Sequence, residues 1–372
     1  MSYKPNINDP RVLRRIKKAL GFVGACLSNN KPHSWSTRYI DKHLGHQSDD
    51  LSKWLRTKLI ICTNDRYKFN VGSGNSICKE YIKNSVGYNE MVSLLEKTTS
   101  YPIVRQVGSL EIEFVKEEFK DELATKNFVY NDKSNRLWHT LQRVRKEYKL
   151  VVFNDSGLNY QYDIECCMPT LIHQYSQKLN MDLYLPALRT YLKDRKQIRQ
   201  ELAEQTEISI EIAKEIINAL VNGAQLGRNK KSDIYQILDG DIARIEFLKQ
   251  HEYLKQLRLD IKTCWDYISP TIPRKSIKTK SSKIRLLPIS SKQKASVYFD
   301  LERQVLNSIR SYLDNTNNNY FLEHDGWVCT NEIDMDSLIK WVKDSTGYDI
   351  NLDRTNLLEK TTSYPIVRQV IK

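Results

Sequence analysis

The chain has 372 residues, of which 40% are hydrophobic and 28% charged, and its formal net charge is +13. This length provides for two or three domains with real cores, and the composition is that of an ordinary soluble protein. No apolar run approaches the ~18–20 residues of a membrane span, so no membrane partner is expected. The basic balance favours a polyanionic partner, most often nucleic acid. A generically basic surface is the alternative.

The cysteines form no C-x-x-C pair, and several lie in apolar runs. They are Cys26, Cys62, Cys78, Cys166, Cys167, Cys264 and Cys329. This pattern predicts buried free thiols in a reducing compartment and makes a zinc site improbable. The basic N-terminus, from Arg11 to Lys18, is not followed by a secretory apolar core. A cytoplasmic protein is expected, in the cytoplasm of the host cell if a phage encodes it.

The first 75 residues show three short helical patterns and two strand patterns. Apolar residues recur at helical spacing over 12–23, and Ser36 or Thr37 can cap a second helix that Gly45 stops. Ser48 can cap a third helix that runs to Thr57. Residues 58–62 and 66–69 then predict two strands around a turn at 63–65.

Three helices followed by a hairpin resemble a winged-helix DNA-binding domain, here residues 1–75. The resemblance implies that the helix over 48–57 enters a DNA groove and offers Lys53 and Arg56. It also places Arg66 and Lys68 on the wing. The alternative is a small helical domain whose basic residues are merely solvated.

Residues 76–135 are predicted to be a linker or helical connector. The fourteen residues 94–107 recur letter for letter at 357–370. One pair of copies is too few for a solenoid, so sequence duplication is the simplest account. The tail over 357–372 therefore receives no function.

The stretch 135–146 is basic and carries an aromatic residue shortly before an acidic segment. Its arginines, Arg136, Arg143 and Arg145, could contact the phosphates of a template or primer. Trp138 is better explained by core packing.

Two short acidic segments about 160 residues apart organise the chain, one around Asp163 and the other around Asp325. Each aspartate is predicted on or just after a β-rich run, and the apolar run 149–153 precedes the first. Two carboxylates held rigidly in this way can bind a pair of divalent metals about 3.5–4 Å apart. Such a pair stabilises the attacking and leaving oxygens of an in-line phosphoryl displacement.

Between these segments the sequence is strongly helical. Apolar periodicity predicts helices over 185–202 and 211–223, the second closed by Gly223. Residues 271–294 form a predicted basic loop suited to a phosphate backbone, with Arg274, Lys275, Lys278, Lys280, Lys283 and Arg285 as candidate contacts. A helix over 295–313, a helix over 336–346 and a last strand over 348–352 are predicted to follow.

This order resembles the palm and fingers of family-A nucleic-acid polymerases, the group of DNA polymerase I and the single-subunit phage-type RNA polymerases. The features that carry the likeness are an aspartate after a strand, a lysine eight residues before Asn-Gly, and a later His-Asp pair. The likeness covers roughly residues 136–356. It implies an α+β fold with a first palm part (136–180), helical fingers (181–270), the basic loop (271–294) and a second palm part (295–356).

The resemblance also implies roles for particular residues. Asp163 and Asp325 match the metal-binding aspartates, and His324 matches the histidine before the second of them. Lys214 matches the fingers lysine that holds the incoming triphosphate and assists the leaving pyrophosphate. Gly223 matches the glycine that ends the fingers helix.

Four positions depart from the family pattern. Asn222 replaces the aromatic residue before that glycine, which in the family stacks on the base pair. Ile210 replaces an arginine, so Arg195 or Arg199 is the candidate substitute for contact with the nucleotide. Gly326 follows His-Asp in place of a carboxylate.

The fourth departure concerns the sugar. Met168 lies five residues after Asp163, where DNA polymerases of the family have a glutamate and RNA polymerases a small residue. Its bulk would crowd a 2′-hydroxyl, which favours deoxynucleotides slightly.

The resemblance therefore implies a nucleotidyltransferase that uses two Mg²⁺ or Mn²⁺ ions, a DNA template and nucleoside triphosphates. DNA-directed RNA synthesis, including priming, is the second interpretation. A DNA-binding replication initiator or regulator without catalysis is the alternative from another class. Reverse transcription is a third option, but the paired aspartates that it needs are missing.

Overall fold

The computed structural model describes residues 3–29, 33–64, 68–71, 74–98, 104–121, 129–131, 136–138, 141, 144–274, 276–278 and 284–363. The chain is α+β, predominantly helical with small antiparallel sheets, which confirms the predicted class. Within the described residues, no helix is both long and apolar enough to cross a bilayer.

The elements are numbered in chain order. The helices are α1 Pro10–Cys26, α2 Thr37–Leu44, α3 Asp50–Leu59, α4 Ser85–Thr98, α5 Val104–Glu118, α6 Lys146–Asp155, α7 Cys167–Leu179, α8 Pro186–Thr206, α9 Ile210–Val221, α10 Asp233–Ile237, α11 Ile242–Gln250, α12 Glu252–Ile268, α13 Ser291–Asn315, α14 Met335–Thr346 and α15 Leu357–Ser363. The strands are β1 His33–Ser36, β2 Ile60–Asn64, β3 Lys68–Val71, β4 Gly74–Lys83, β5 Val129–Asn131, β6 Arg136–Trp138, β7 Tyr160–Ile164, β8 Ser276–Lys278, β9 Ile284–Leu286, β10 Tyr320–Leu322, β11 Gly326–Cys329 and β12 Leu352–Asn356.

The first elements follow the order α1, β1, α2, α3 and then three strands. Strands β1, β2 and β3 all pair antiparallel with β4. The predicted hairpin around residues 63–65 is therefore wrong, because β2 pairs with β4 rather than with β3. The hairpin is instead formed by β3 and β4, with Val71 opposite Gly74. The third helix also begins later than predicted, after Asp49 rather than Ser48.

Helices α1 and α5 pack closely around a buried carboxyl group. A Cβ atom at Gly24 would lie 2.0 Å from Glu111 Oε1, so only glycine leaves room for the glutamate. The Tyr88 hydroxyl donates a 2.5 Å hydrogen bond to this carboxyl, whose residue is 1% exposed. Burial raises the pKa of Glu111 to about 7 from an ordinary 4.5, although Lys83 and Arg145 act in the opposite direction.

The raised pKa of Glu111 predicts that the parent protein loses stability as the pH rises. The Glu111→Gln variant should not show this loss. Because the folded protein holds the proton more tightly, its free energy of unfolding falls between about pH 4.5 and pH 7 and is level above. The loss is at most about 3 kcal/mol. The glutamine side chain keeps an acceptor for Tyr88, so the variant should be more stable than the parent at pH 8. Denaturant unfolding at pH 5 and pH 8 measures the difference, with exposed Glu113→Gln on the same helix as control. An unchanged pH dependence in the Glu111 variant would contradict the argument.

The second half of the chain is organised on a four-stranded antiparallel sheet with the order β10-β11-β7-β12. On one face, Tyr162 stacks on its cross-strand partner Trp327, with 5.4 Å between the ring centroids. Both rings lie in the core formed by α7, α13 and the helices α8–α12. On the other face, Phe321 and Val328 join the core of the N-terminal half, where Phe321 meets Phe153 of α6 at 5.3 Å. The sheet thus joins the two cores.

One strand prediction in this half is wrong, and the apolar run before Asp163 is helical. The apolar run 149–153 lies in α6, and Leu150, Val151, Val152 and Phe153 are all buried there. A helix buried on most of its surface gives the same continuous apolar run as a buried strand, so the pattern does not separate them. The last strand is β12 rather than 348–352. Tyr348 and Ile350 are buried at alternate positions, a pattern typical of a strand, but backbone pairing with β7 begins only at Leu352.

Candidate active site

The sheet brings Asp163 and Asp325 together. Asp163 lies in β7 directly opposite Gly326, the first residue of β11, and Asp325 is in the turn between β10 and β11. The amide of Ile164 donates to the carbonyl of Asp325 at 2.9 Å, which fixes the turn against β7. The turn itself is closed by a 2.8 Å hydrogen bond from the Glu323 amide to the Gly326 carbonyl.

Gly326 is required by this close approach. A Cβ atom there would lie 2.4 Å from Asp163 Oδ1 and 2.5 Å from the Tyr162 carbonyl oxygen. The backbone of the central strand β7 cannot shift at low energetic cost, so a larger residue at position 326 would separate β11 from β7. The residue that follows His-Asp is therefore glycine because the Asp163 carboxylate occupies the space above it.

The two aspartates interact electrostatically. Burial raises the pKa of Asp163 to about 6, and the charge of Asp325 contributes to this rise, while Lys146 and Lys149 oppose it. The charge of Asp325 also contributes to raising the pKa of buried Tyr298 on α13, after burial itself. Asp325 thus lies within electrostatic range of both β7 and α13.

Lysines of α6 and α15 lie near Asp163. Lys149 on α6 pairs with Glu323, and both side chains are largely buried. Lys360 on α15, inside the second copy of the repeat, is half-buried. Burial and Lys146 lower the pKa of Lys360, and the charge of Asp163 opposes that lowering. The repeated tail thus begins beside the site.

The residues present fit a magnesium site completed by substrate. Among the described residues, no group of three or more His, Cys, Asp or Glu side chains forms a metal-binding cluster. Mg²⁺ is, however, usually held by one or two carboxylates together with substrate phosphates. Asp163 and Asp325 supply such a pair of oxygen donors.

A cleft of about 1220 Å³ opens above these carboxylates. Its walls contain nearly all of the residues that the sequence predicted for catalysis and nucleotide binding, namely Asp163, Met168, Arg195, Arg199, Lys214, Asn222, Gly223 and Asp325. His324, the other residue of the β10–β11 turn predicted for the site, does not line the cleft.

Helix α9 forms one wall with a polar stripe. Lys214, Asn218 and Asn222 are each four residues apart, so they lie on one face of the helix. All three are exposed. Within the described part of the chain, Lys214 forms no ion pair, so its ammonium group is available to a ligand. Gly223, with φ +92°, ends the helix.

Arg195 and Arg199 are both engaged within the protein. Arg195 makes a bidentate pair with Glu165 and also donates to Asp353 at 3.0 Å. Arg199 donates to the Tyr191 hydroxyl through Nε at 3.1 Å. Arg195 therefore ties α8 to the sheet, and contact with a nucleotide would require it to give up these carboxylates.

The predicted nucleic-acid contacts of the N-terminal half differ in exposure. Lys53 is exposed and pairs with Asp50 on its own helix, at 3.2 Å. The Arg56 side chain is 11% exposed, because it pairs with Asp41 and donates to the Gly45 carbonyl at 2.6 Å. Its guanidinium links α3 to α2 and to the residue that follows α2.

The remaining predicted contacts are only partly described. Arg145 is exposed and pairs with Glu147, while Arg274 is half-buried and donates to Ser269 Oγ at 2.5 Å. Lys68, Arg136, Lys278 and Arg285 lie in β3, β6, β8 and β9. Arg66, Arg143, Lys275, Lys280 and Lys283 lie outside the described residues. The predicted basic loop contains a short hairpin, because β8 pairs with β9.

Several residues of the site were missed by sequence reasoning. Asp353 lies opposite Asp163 across β7 and β12 and lines the cleft, but nothing in the sequence indicates that pairing. Lys255, Arg258 and Lys262 of α12 and Lys294 of α13 also line it. The 3- and 4-residue spacing of the first three was visible in the sequence as one helix face.

Comparison with protein-family models and with curated proteins gave no match to this chain.

Proposed function

We propose that this protein is a template-directed nucleic-acid polymerase. The observation that carries the proposal is the meeting of Asp163 and Asp325, about 160 residues apart in sequence, at the base of a cleft with cationic walls. A fixed pair of carboxylates below an available lysine suits a substrate with a triphosphate.

The topology supports a palm with inserted fingers. The two aspartates lie on an antiparallel sheet, and the helices α8–α12 fall between β7 and β10 in the sequence. The α9 stripe and the carboxylates line the same cleft. This arrangement agrees with the order of motifs that the sequence shares with family-A polymerases.

In the proposed reaction, the 3′-oxygen of a primer or initiating nucleotide forms a bond to the α-phosphorus of a nucleoside triphosphate. The bond between that phosphorus and the bridging oxygen breaks, pyrophosphate leaves, and the hydroxyl proton passes to solvent. Divalent ions, when bound, would lower the pKa of the attacking hydroxyl and neutralise developing charge. Asp163 and Asp325 would hold them, and Lys214 would donate to the β- and γ-phosphates.

The N-terminal elements support a DNA-binding role for residues 1–75. Their order is α1-β1-α2-α3, followed by β2 and β3, and it resembles that of a winged helix. Strands β1, β2 and β3 all pair with β4. In this interpretation α3 would present Lys53, since Arg56 is held by Asp41.

Met168 favours deoxynucleotides as substrates. It lines the cleft near the start of α7, half-buried, where its side chain would crowd a ribose 2′-hydroxyl. RNA synthesis is the second candidate, because position 168 carries neither an aromatic nor an acidic side chain to exclude the 2′-hydroxyl.

The proposal is tested by incubating the full chain with primed and with unprimed single-stranded DNA, and with labelled dNTPs or NTPs supplied separately. We expect incorporation that requires Mg²⁺ or Mn²⁺, is abolished by EDTA and is greater with dNTPs. Duplex binding without metal-dependent incorporation would overturn the proposal and favour a non-catalytic initiator or regulator.

A further inference from the structure

Helix α12 has two chemically distinct faces. Leu254, Leu257, Ile261, Cys264 and Ile268 are buried against α7 and α8 in the core. The opposite face, which we call the α12 stripe, consists of Lys255, Arg258, Leu259 and Lys262 and lines the cleft. The amphipathic pattern therefore directs a row of cations into the cleft rather than to bulk solvent.

The length of the α12 stripe suits contact with a short segment of a nucleic-acid strand. At 1.5 Å per residue, Lys255 and Lys262 are about 10 Å apart along the helix. Cations spread over this length can contact more than one phosphate of a single strand.

The cations of the stripe are only loosely neutralised. Lys255 pairs with Glu252 at 2.7 Å, and Lys262 pairs with Asp266 at 3.0 Å; in each pair at least one side chain is largely exposed. Exposed pairs of this kind contribute little and exchange readily for a phosphate. Arg258 donates to the amide oxygen of Gln225 at 3.3 Å, a neutral partner that compensates no charge.

The stripe also offers apolar surface. Leu259 is 53% exposed between the basic residues. Trp265, further along the helix, is 5% exposed under Lys294, whose ammonium lies 5.0 Å from its ring, so this indole is not available for stacking. A ligand that combines phosphates with bases satisfies both the cations and the exposed leucine, whereas a bare triphosphate leaves the leucine without a partner.

From these observations we propose that the α12 stripe binds the backbone of single-stranded nucleic acid. The bound strand is the template, which runs along the stripe towards Asp163 and Asp325. The assignment of the strand as template rests on the proposed polymerase function. The binding itself does not, because the cations and the exposed leucine act without metal or triphosphate.

The test compares the full-length parent with the triple variant Lys255→Gln/Arg258→Gln/Lys262→Gln. Binding of a fluorescent single-stranded oligodeoxynucleotide is titrated in EDTA at several salt concentrations. Three lost phosphate contacts should weaken binding at low salt and reduce the slope of log K against log salt by about 2. A second variant, Lys255→Gln/Lys262→Gln, spares half-buried Arg258 and should reduce the slope by about 1.4, which guards against misfolding.

A charge-matched control removes three exposed cations outside the cleft, Arg228, Lys230 and Lys249. We expect this control to retain most of the parental slope. Equal loss in control and stripe variants, or loss of nucleoside triphosphate binding with oligonucleotide binding unchanged, would overturn the assignment. If the parent incorporates no nucleotide but the stripe variants still lose slope, the polymerase proposal fails and the binding site stands.

Discussion

Replacing Asp163 or Asp325 by asparagine is expected to abolish nucleotide incorporation. Each change removes one of the two carboxylates that line the cleft at the β7–β11 edge, and with it a proposed ligand of the catalytic ions. Loss of several kcal/mol of transition-state stabilisation corresponds to a decrease in kcat of about 10³-fold or more. Single-turnover extension of a primed template at saturating triphosphate measures the effect.

The same variants supply their own folding control. The pKa of Asp163 is about 6 in the folded protein, above its ordinary 3.8, so its ionised form costs stability once the pH exceeds that range. Asparagine removes this cost, and the metal-free Asp163→Asn protein should melt at a higher temperature than the parent at pH 8. DNA binding should be retained, because negative charge is lost.

Asp344→Asn is the matched control, since Asp344 is exposed on α14 and pairs with Lys340 away from the cleft. It should leave incorporation near the parental rate. Synthesis retained by either active-site variant would refute the assignment of the two carboxylates.

Lys214→Ala should produce the second-largest effect. Lys214 is the cation of the α9 stripe and, within the described residues, has no carboxylate partner, so its charge is available for the triphosphate. Loss of one such donor costs about 10²–10³-fold in kcat, with a rise in KM for the nucleotide. Steady-state kinetics with varied triphosphate separate the two parameters.

Lys214→Arg keeps the charge and should recover part of the activity, while exposed Lys230→Ala should have no effect. A variant that loses DNA affinity but keeps its KM for the nucleotide would place Lys214 in the template path instead. Because the Asp163 and Lys214 variants fail at different steps, together they separate metal binding from triphosphate binding.

Much of the site followed from the order of residue types along the chain. Asp163 on a strand, Asp325 in a hairpin turn and Lys214 on a helix before Gly223 all occupy one cleft. Spacing identified them because each local element is short and strongly patterned. The partners of Arg195 were not visible in this way, since Glu165 and Asp353 reach it from separate elements.

The incorrect assignment of the last strand has a physical cause. Residues 348–352 were assigned to a strand from their alternating apolar residues, but alternation reports which side chains are buried and does not specify the backbone conformation. In the same way, the sequence could not show that Asp41, on a neighbouring helix, pairs with Arg56.

The two copies of the repeated segment separate the properties set by local sequence from those set by packing. The residues Leu-Leu-Glu-Lys-Thr are helical in both copies, at the end of α4 and in α15, because local propensity is the same. Leu95 is 3% exposed in the first copy, while its counterpart Leu358 is 58% exposed in the second, where Leu357 is buried instead. The helix, the basic charge and the types of residue available for chemistry all follow from the amino acids themselves. Which face is buried, and which carboxylates lie in the same cleft, depends on contacts between segments far apart in the chain, so these properties arise only on folding.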